Sequence, residues 1–484
     1  MFRLYLLQHM KHPIAALLVF LLLQVAADAQ TTTASFKQRV IIQGLEDPWE
    51  IVYGPDQQLW ITEAKGYRVS RIDPATGRKQ VLLDVSSDRY FGQPGQQKNN
   101  WPQGGLMGLA LHPALAGNKP YVYIAYHFAF EGCRNNDSGC YYKVKLVRFT
   151  YNKQQDTLHS PLVICDTIPA SNDHNGGRLL CTTEQGKSYL YYTVGDMGAG
   201  QYNNAARPNH AQDLRFYEGK ILRFLAEPEE RQGKTNWIPA SNPFNTQAIR
   251  SAVFSIGHRN PQGICALQQN GKTILFSSEH GPFSDDEINV IEAGGNYGHP
   301  LVIGYADGNY NGLAAGVSSN MKTAGQWHSS YPGIQEEQKN AAAIKNFHPP
   351  VRSLYPTPND TIRQIMERKR SDTDPQPEWR SEAPSGIALY TQSFIPGWKN
   401  SLLVTSLKNG HLIRLAVEGQ NPFVSGDPQY LFPTASRYRS ATTDATGQTI
   451  YVCTDKSNVT SGPTREDPQQ TGCKGCIIAF RYDP

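Results

Sequence analysis

Three groups of residues along the 484-residue chain combine types and spacings that could do chemistry. The first is Asn172-Asp-His-Asn-Gly-Gly-Arg178 with Gly195-Asp-Met-Gly-Ala-Gly-Gln201. A His whose far nitrogen is fixed by a carboxylate can act as a general base near neutral pH, which makes His174 and Asp196 a candidate pair. A surface hydrogen bond is the plainer alternative. The second group is Gly257-His-Arg-Asn-Pro-Gln-Gly263, followed by Ser278-Glu-His-Gly-Pro-Phe-Ser-Asp-Asp-Glu-Ile-Asn289 and Gly294-Gly-Asn-Tyr-Gly298. It joins the guanidinium of Arg259 to a Gly281-Pro282 step, whose carbonyls are released from strand pairing, and to three consecutive carboxylates. Calcium takes about six to eight oxygens from carboxylates and carbonyls, and the cluster fits that need. A solvated acidic turn would use the same residues. The third group is cationic: Lys408 in Ser406-Leu-Lys-Asn-Gly410, and Arg437 with Arg439 in Ser436-Arg-Tyr-Arg-Ser440. Alternate residues of a strand share a face, so both guanidiniums would meet one multivalent anion. A solvated pair of edge charges is the alternative.

Such groups need a scaffold that brings distant segments to one place. From Pro48 to Glu63 an alternating strand turns at Gly-Pro-Asp and returns as a second strand. The pattern recurs at 177–195, 263–279, 386–415 and 440–454, with a weaker copy at 105–126. Six such units read as an all-β, six-bladed β-propeller, because units of this kind bury their apolar faces only by stacking. Blades of other propellers use ~40–50 residues, so long inter-blade insertions remain, at 202–249 and 303–382. The second holds two helical patterns, near 336–345 and 362–370. His174 and Asp196 lie at opposite ends of one hairpin, so their loops meet at one rim of its sheet. A pair of β-sandwiches would not explain one hairpin type recurring over the whole chain.

Composition agrees. Gly (42), Pro (32) and Tyr (25) suit short strands and turns better than long helices. The net charge is +4 with Lys and Arg dispersed, which argues against nucleic acid as a partner. Mean hydropathy is −0.49, and no apolar run reaches 18 residues, which argues against stable membrane insertion. Arg3 and Lys11 flank an apolar stretch, Ile14 to Ala27, that ends in Ala27-Asp28-Ala29. This is the layout of a secretory signal peptide over residues 1–29, leaving 30–484 as one catalytic propeller domain of a periplasmic or secreted protein. Export lets the eight cysteines be read as an oxidised set. Cys133 and Cys140 bracket a polar loop and are expected to pair. The CxxC of Cys473 and Cys476 could be half a zinc site or a redox motif, but no second CxxC exists, and a structural disulfide with Cys453 is expected.

Taken together, from about Val40 to the C-terminus, these motifs resemble the soluble, calcium-containing glucose dehydrogenase family that depends on pyrroloquinoline quinone (PQQ), within the wider glucose/sorbosone dehydrogenase group. The motifs GHRNPQG, GP-x-SDDEIN, GGNYG, DH-x-x-GR, SLK and RYR occur in that family's order. The resemblance implies a six-bladed propeller and oxidation of an aldose at C1, with electrons passed to an external acceptor. It implies His174 as base, Asp196 as its orienting carboxylate and Arg259 as the cation that stabilises developing charge. Arg259, Asn260, Lys408, Arg437 and Arg439 would hold PQQ, and Trp379 and Ser381 persist as residues of the same pocket. Gln103, Asp173 and Gln201 would line the sugar pocket. The carbonyls of Gly281 and Pro282 would hold the cofactor's Ca2+, and Asp286, Glu287, Asp307 and the Tyr297 carbonyl resemble a further, structural calcium site. A homodimer is also implied.

Two departures stand out. His280 occupies the place where the glucose enzymes carry Gln, and an imidazole there would alter the charge beside the cofactor. Residues 356–378 lose the family's loop with its close cysteine pair, a loop that shapes the substrate mouth. Two other readings compete with the enzyme: a calcium-stabilised propeller that binds carbohydrate or protein without turnover, and a calcium-dependent lactonase, which needs metal-binding side chains converging on the central channel.

Overall fold

Runs such as Leu59-Trp-Ile-Thr-Glu63 and Ser401-Leu-Leu-Val-Thr-Ser406 are buried along their whole length, as strands covered on both faces must be. They are the second strands of sheets whose first strands face a central axis. The structure, a computed structural model, describes residues 35–89, 102–128, 143–201, 204, 207–231, 233–316, 331–369, 378–419, 423–456 and 472–484. Six four-stranded antiparallel sheets form the blades, and two small two-stranded sheets sit in the connections between strands. The innermost strands are Pro48–Tyr53, Leu106–Leu111, Leu179–Glu184, Pro261–Gln269, Pro384–Tyr390 and Tyr438–Thr443, and each packs on the next until the last meets the first.

Closure uses both ends of the chain. Ser35–Ile42 is the outermost strand of the sixth blade and pairs antiparallel with Ile477–Asp483, with Phe36 opposite Tyr482 and Val40 opposite Ile478. Large side chains such as Trp60, Phe224, Phe276 and Phe480 fill the spaces between blades. Each stabilises the ring by roughly 1.5–3 kcal/mol through burial.

Each hairpin unit expected from the sequence covers the two inner strands of a blade, and the unit at 386–415 runs on into the third strand, Leu412–Glu418. The expected insertions are shorter than the spacing suggested. Residues 202–249 contain Lys220–Leu225, the third strand of the third blade, as well as a small hairpin of Glu229–Arg231 and Lys234–Asn236. Residues 303–382 contain Arg352–Leu354, the outer strand of the fourth blade, and helices at Glu337–Ala343 and Asn359–Lys369, close to the two helical patterns.

The disulfide expectations fare unequally. Cys473 and Cys476 are bonded to each other rather than to Cys453. Cys453 lies on the buried second strand of the sixth blade, and its thiol points across to the carbonyl of Pro48 in the first. Cys133 and Cys140, and the expected signal segment 1–29, lie outside the described residues.

Two features turn this ring into a platform. Five of the six inner strands carry a register shift near their start, between Pro48 and Ile51, Leu106 and Leu109, Pro261 and Gly263, Pro384 and Ile387, and Tyr438 and Ser440. Bulges bend a strand and re-aim its side chains, here at one mouth of the channel. Below that mouth Arg178 acts as an axial pin. Its guanidinium donates to the carbonyls of Trp49 (3.0 Å), Gln262 (2.8 Å) and Arg439 (3.4 Å), in the first, fourth and sixth blades, and meets Glu50 at 2.8 Å.

Candidate active site

In an antiparallel blade the start of the first strand and the end of the second lie at the same edge. Gln103, His174, Arg259, Asn260, Trp379, Ser381 and Arg437 lead into first strands or open them. Asp196, His280, Gly281, Pro282 and Lys408 follow second strands. The topology therefore collects at one rim residues that the sequence scatters over more than three hundred positions.

The His174 loop and the Asp196 turn touch closely. A Cβ on Gly195 would stand 2.0 Å from the carbonyl oxygen of His174, so only glycine permits the approach. His174 itself has φ of 48°, a left-handed conformation that costs a non-glycine residue on the order of 1–3 kcal/mol and marks it as held in place. Its Nδ1 lies 2.7 Å from Asp196 Oδ1. Asp196 also accepts from the amide of Gly198 (2.9 Å) and from Asn209 Nδ2 (3.1 Å), and its Oδ2 lies 2.8 Å from His299 Nε2. Burial alone would raise the carboxyl of Asp196, but the two imidazoles outweigh it and hold the group well below the usual carboxylate range.

With its proton on Nδ1, His174 presents a bare Nε2. Gln201 Nε2 lies 3.0 Å from that nitrogen and donates to it, and Asp173 Oδ1 stands 3.7 Å away. Gln103 Nε2 reaches the same Asp173 oxygen at 3.5 Å. Gln103, Asp173 and Gln201 thus form one polar wall around the lone pair of the base.

Arg259 joins Asp196 to the next blade: its carbonyl accepts the Asp196 amide (2.7 Å) and its Nη1 donates to the carbonyl of His280 (3.2 Å). The Glu279 carboxylate anchors the turn by accepting the amides of Arg259 and Asn260. The imidazole of His280, beside Arg259, favours its neutral form. Burial, then the charges of Arg259, His174 and Arg439, hold its imidazole well below its ordinary value.

Among the described residues, three buried donors at this rim have no acceptor: Arg259 Nε, Asn260 Nδ2 and Arg437 Nη1. An unmet buried donor costs about 1–3 kcal/mol, so a site that retains three of them suits a bound polyanion. PQQ, with its carboxylates and quinone oxygens, fits this donor set. Arg439 is placed differently. It grips Asp455 through Nε (2.8 Å) and Nη2 (2.7 Å), donates to Gln262 Oε1 (2.8 Å), and stacks 4.3 Å above the Trp49 ring. Arg437 shares Asp455 only through Nε, at 3.2 Å. Asp455, which the sequence reading missed, is thus a resident counter-ion that offsets one of the four expected cations. Lys408 lies 4.9 Å from the Trp379 ring and donates to the Trp379 carbonyl.

The carbonyls of Gly281 and Pro282 take no hydrogen bond from the described residues, and both residues line a narrow cavity of about 10 Å³ with Arg259, Glu279 and His280. Two free carbonyl oxygens suit a hard cation. The cavity is below the ~300–1,000 Å³ of ordinary ligand pockets, so it forms one corner of the site.

Each carboxylate of the expected second calcium set accepts hydrogen bonds within the protein. Asp286 is already satisfied by four donors: the amide of Gly281 (3.0 Å), Ser381 Oγ (2.7 Å) and the amides of Glu382 (2.7 Å) and Ala383 (3.1 Å). Glu287 accepts from Gly304 and Asn289, Asp307 from the amide of Asn309, and the Tyr297 ring stacks on His258 at 4.7 Å. Among the described residues no three His, Cys, Asp or Glu side chains form a metal-sized group, so the convergence that a lactonase metal would need is not present there.

Comparison with known proteins agrees with this geometry. The profile of the family described as Glucose / Sorbosone dehydrogenase matches residues 45–332 and 349–460. The chain is 33% identical to quinoprotein glucose dehydrogenase B of Acinetobacter calcoaceticus, over 94% of this chain and 92% of that one. It is 25% identical to aldose sugar dehydrogenase YliI of Escherichia coli, over 88% and 91%. In fold it is similar to the PQQ-bound aldose sugar dehydrogenase of Streptomyces coelicolor, with a TM-score of 0.58 at 23% identity over 93% of this chain and 99% of that one.

Proposed function

Because the chain belongs to the glucose/sorbosone dehydrogenase family, we propose that it is an exported PQQ-dependent dehydrogenase that oxidises an aldose at C1 to the lactone. The observation that carries this reading is the collection at one rim of a carboxylate-fixed base, His174 with Asp196, and a set of unmet donors, Arg259 Nε, Asn260 Nδ2 and Arg437 Nη1.

The sugar's anomeric hydroxyl takes the place of the Gln201 amide at His174 Nε2, and His174 removes its proton. Asp196 keeps the other imidazole nitrogen protonated and stabilises the imidazolium that forms. PQQ, when bound, supplies the quinone that takes the two electrons of the C1–H bond as hydride, and calcium at the Gly281 and Pro282 carbonyls would make it more electrophilic. Arg259 is a fixed cation where negative charge develops, so it needs no reorganisation at the moment of reaction. Gln103 and Asp173 orient the sugar ring through its hydroxyls. His174 then releases its proton to solvent, and the electrons leave to a separate acceptor.

The reading is tested by adding PQQ and calcium to the purified protein and following reduction of an artificial dye with a panel of aldoses. Dye reduction by at least one aldose, dependent on PQQ, is expected. The absence of both dye reduction and PQQ binding would sink the proposal.

A further inference from the structure

Asp196 is bound by two imidazoles, and only one of them has a role so far. His299 is buried, and its Nε2 lies 2.8 Å from Asp196 Oδ2, opposite the oxygen used by His174. The protons on this carboxylate can be placed. An imidazole nitrogen and a carboxylate oxygen at that distance need a proton between them, or two lone pairs would face each other. Asp196 is held ionised, so the proton sits on His299 Nε2. Asn209 cannot supply a substitute for that proton. Its Oδ1 accepts the amide of Ala211 (3.0 Å), which turns Nδ2 toward Asp196, and its 3.2 Å approach to His299 Nε2 is then only proximity. Among the described residues His299 Nδ1 has no partner, and burial holds the ring below its ordinary basicity, which favours the neutral imidazole.

The backbone keeps the ring there. The His299 amide donates to the carbonyl of Gly257 (3.0 Å), Gln212 Nε2 donates to the His299 carbonyl (2.8 Å), and the ring stands edge-on to Tyr331. Asp196, Arg259 and Glu279 are the charged groups that act on it.

We infer that His299 is a positioning residue for the catalytic base: its Nε2–H holds one oxygen of Asp196, turns the other toward His174 Nδ1, and shares the carboxylate's charge between two rings. This rests on the reading of His174 as the base. Without His299 the full charge of Asp196 would fall on His174, its imidazolium would be over-stabilised, and the carboxylate would be free to rotate. His174 also faces Asp173, Gln201 and His280, and none of these touches the second Asp196 oxygen.

The test uses the full chain without PQQ, following imidazole nitrogen resonances by NMR across pH. In the wild type, His299 should carry its proton on Nε2. In His299→Phe, which fills the space but cannot donate, the titration midpoint of His174 should rise by roughly half a pH unit or more. His299→Gln, whose amide nitrogen can replace Nε2–H, should return it to the wild-type value. A His299 protonated on Nδ1 in the wild type would overturn the inference even if neither variant folds. An unchanged His174 midpoint in folded His299→Phe would overturn it as well. Because no cofactor is present, these results are independent of turnover. If the loaded wild type oxidises no sugar while His174 behaves as described, the functional reading fails and the relation between the two histidines stands.

Discussion

Asp286 and Ser381, 95 residues apart in sequence, are joined by a 2.7 Å hydrogen bond that ties the turn bearing the Gly281 and Pro282 carbonyls to the segment bearing Trp379. The same carboxylate takes three backbone amides, from Gly281, Glu382 and Ala383. Asp286 is therefore a clamp between two walls of the site.

Removing the clamp should loosen both walls. Asp286→Ala leaves buried amides without an acceptor, at about 1–3 kcal/mol each, so the melting temperature should fall. PQQ affinity should drop ~10-fold or more, from the loss of roughly one charge-assisted bond's worth of order. Titration of the variant with PQQ, read by quenching of tryptophan fluorescence, checks this. Unaltered affinity would mean that the clamp does not shape the site.

The two arginines of the RYR motif should separate cleanly. Arg437→Ala leaves Asp455 in the grip of Arg439, so the fold should hold while PQQ affinity falls ~10- to 100-fold with the open Nη1 donor. Arg439→Ala breaks a buried pair and should cost ~3–5 kcal/mol of stability. Thermal denaturation and PQQ titration of both variants read the difference. Equal losses of stability would refute the division of roles.

Acid should reach the Trp379 segment through Glu382. Burial would raise this carboxyl, but His411, Tyr355 and Asn409 outweigh it and bring it down to about 2. A group depressed on folding stabilises the native state fully above its ordinary value of 4.5, and that contribution is lost as pH falls toward 2. The contribution is on the order of 3 kcal/mol. Urea denaturation between pH 6 and 2.5 should show wild type more stable than Glu382→Gln at the upper end, with the gap closing as pH falls. A gap that stays constant would exclude Glu382 as the source.

Much of this was legible in the sequence, and the remainder has a physical reason for being hidden. The six hairpins could be read because inner and second strands such as Leu59–Glu63 are buried and bounded by turns. Outer strands were not visible. Thr157–Pro169 is exposed along most of its length, and the outermost strand of the sixth blade arrives from the other end of the chain. His174 and Asp196 could be paired because one hairpin separates them. His299 follows directly on the GGNYG run, but its partner lies 103 residues away and no local pattern joins them. Asp286 read as a calcium ligand because acidic runs favour cations, whereas the three amides and the Ser381 hydroxyl that its oxygens accept come from segments the sequence does not join.

The most direct measurement of the central claim compares wild type with His174→Ala for PQQ binding and for dye reduction by the best aldose. None of the unmet donors belongs to His174, so the variant should bind PQQ within about 3-fold of wild type, a difference under 1 kcal/mol. Turnover should fall ~10²-fold or more, the scale of losing a general base. A variant that binds PQQ normally and still oxidises sugar at the wild-type rate would contradict the assignment of His174 as the base.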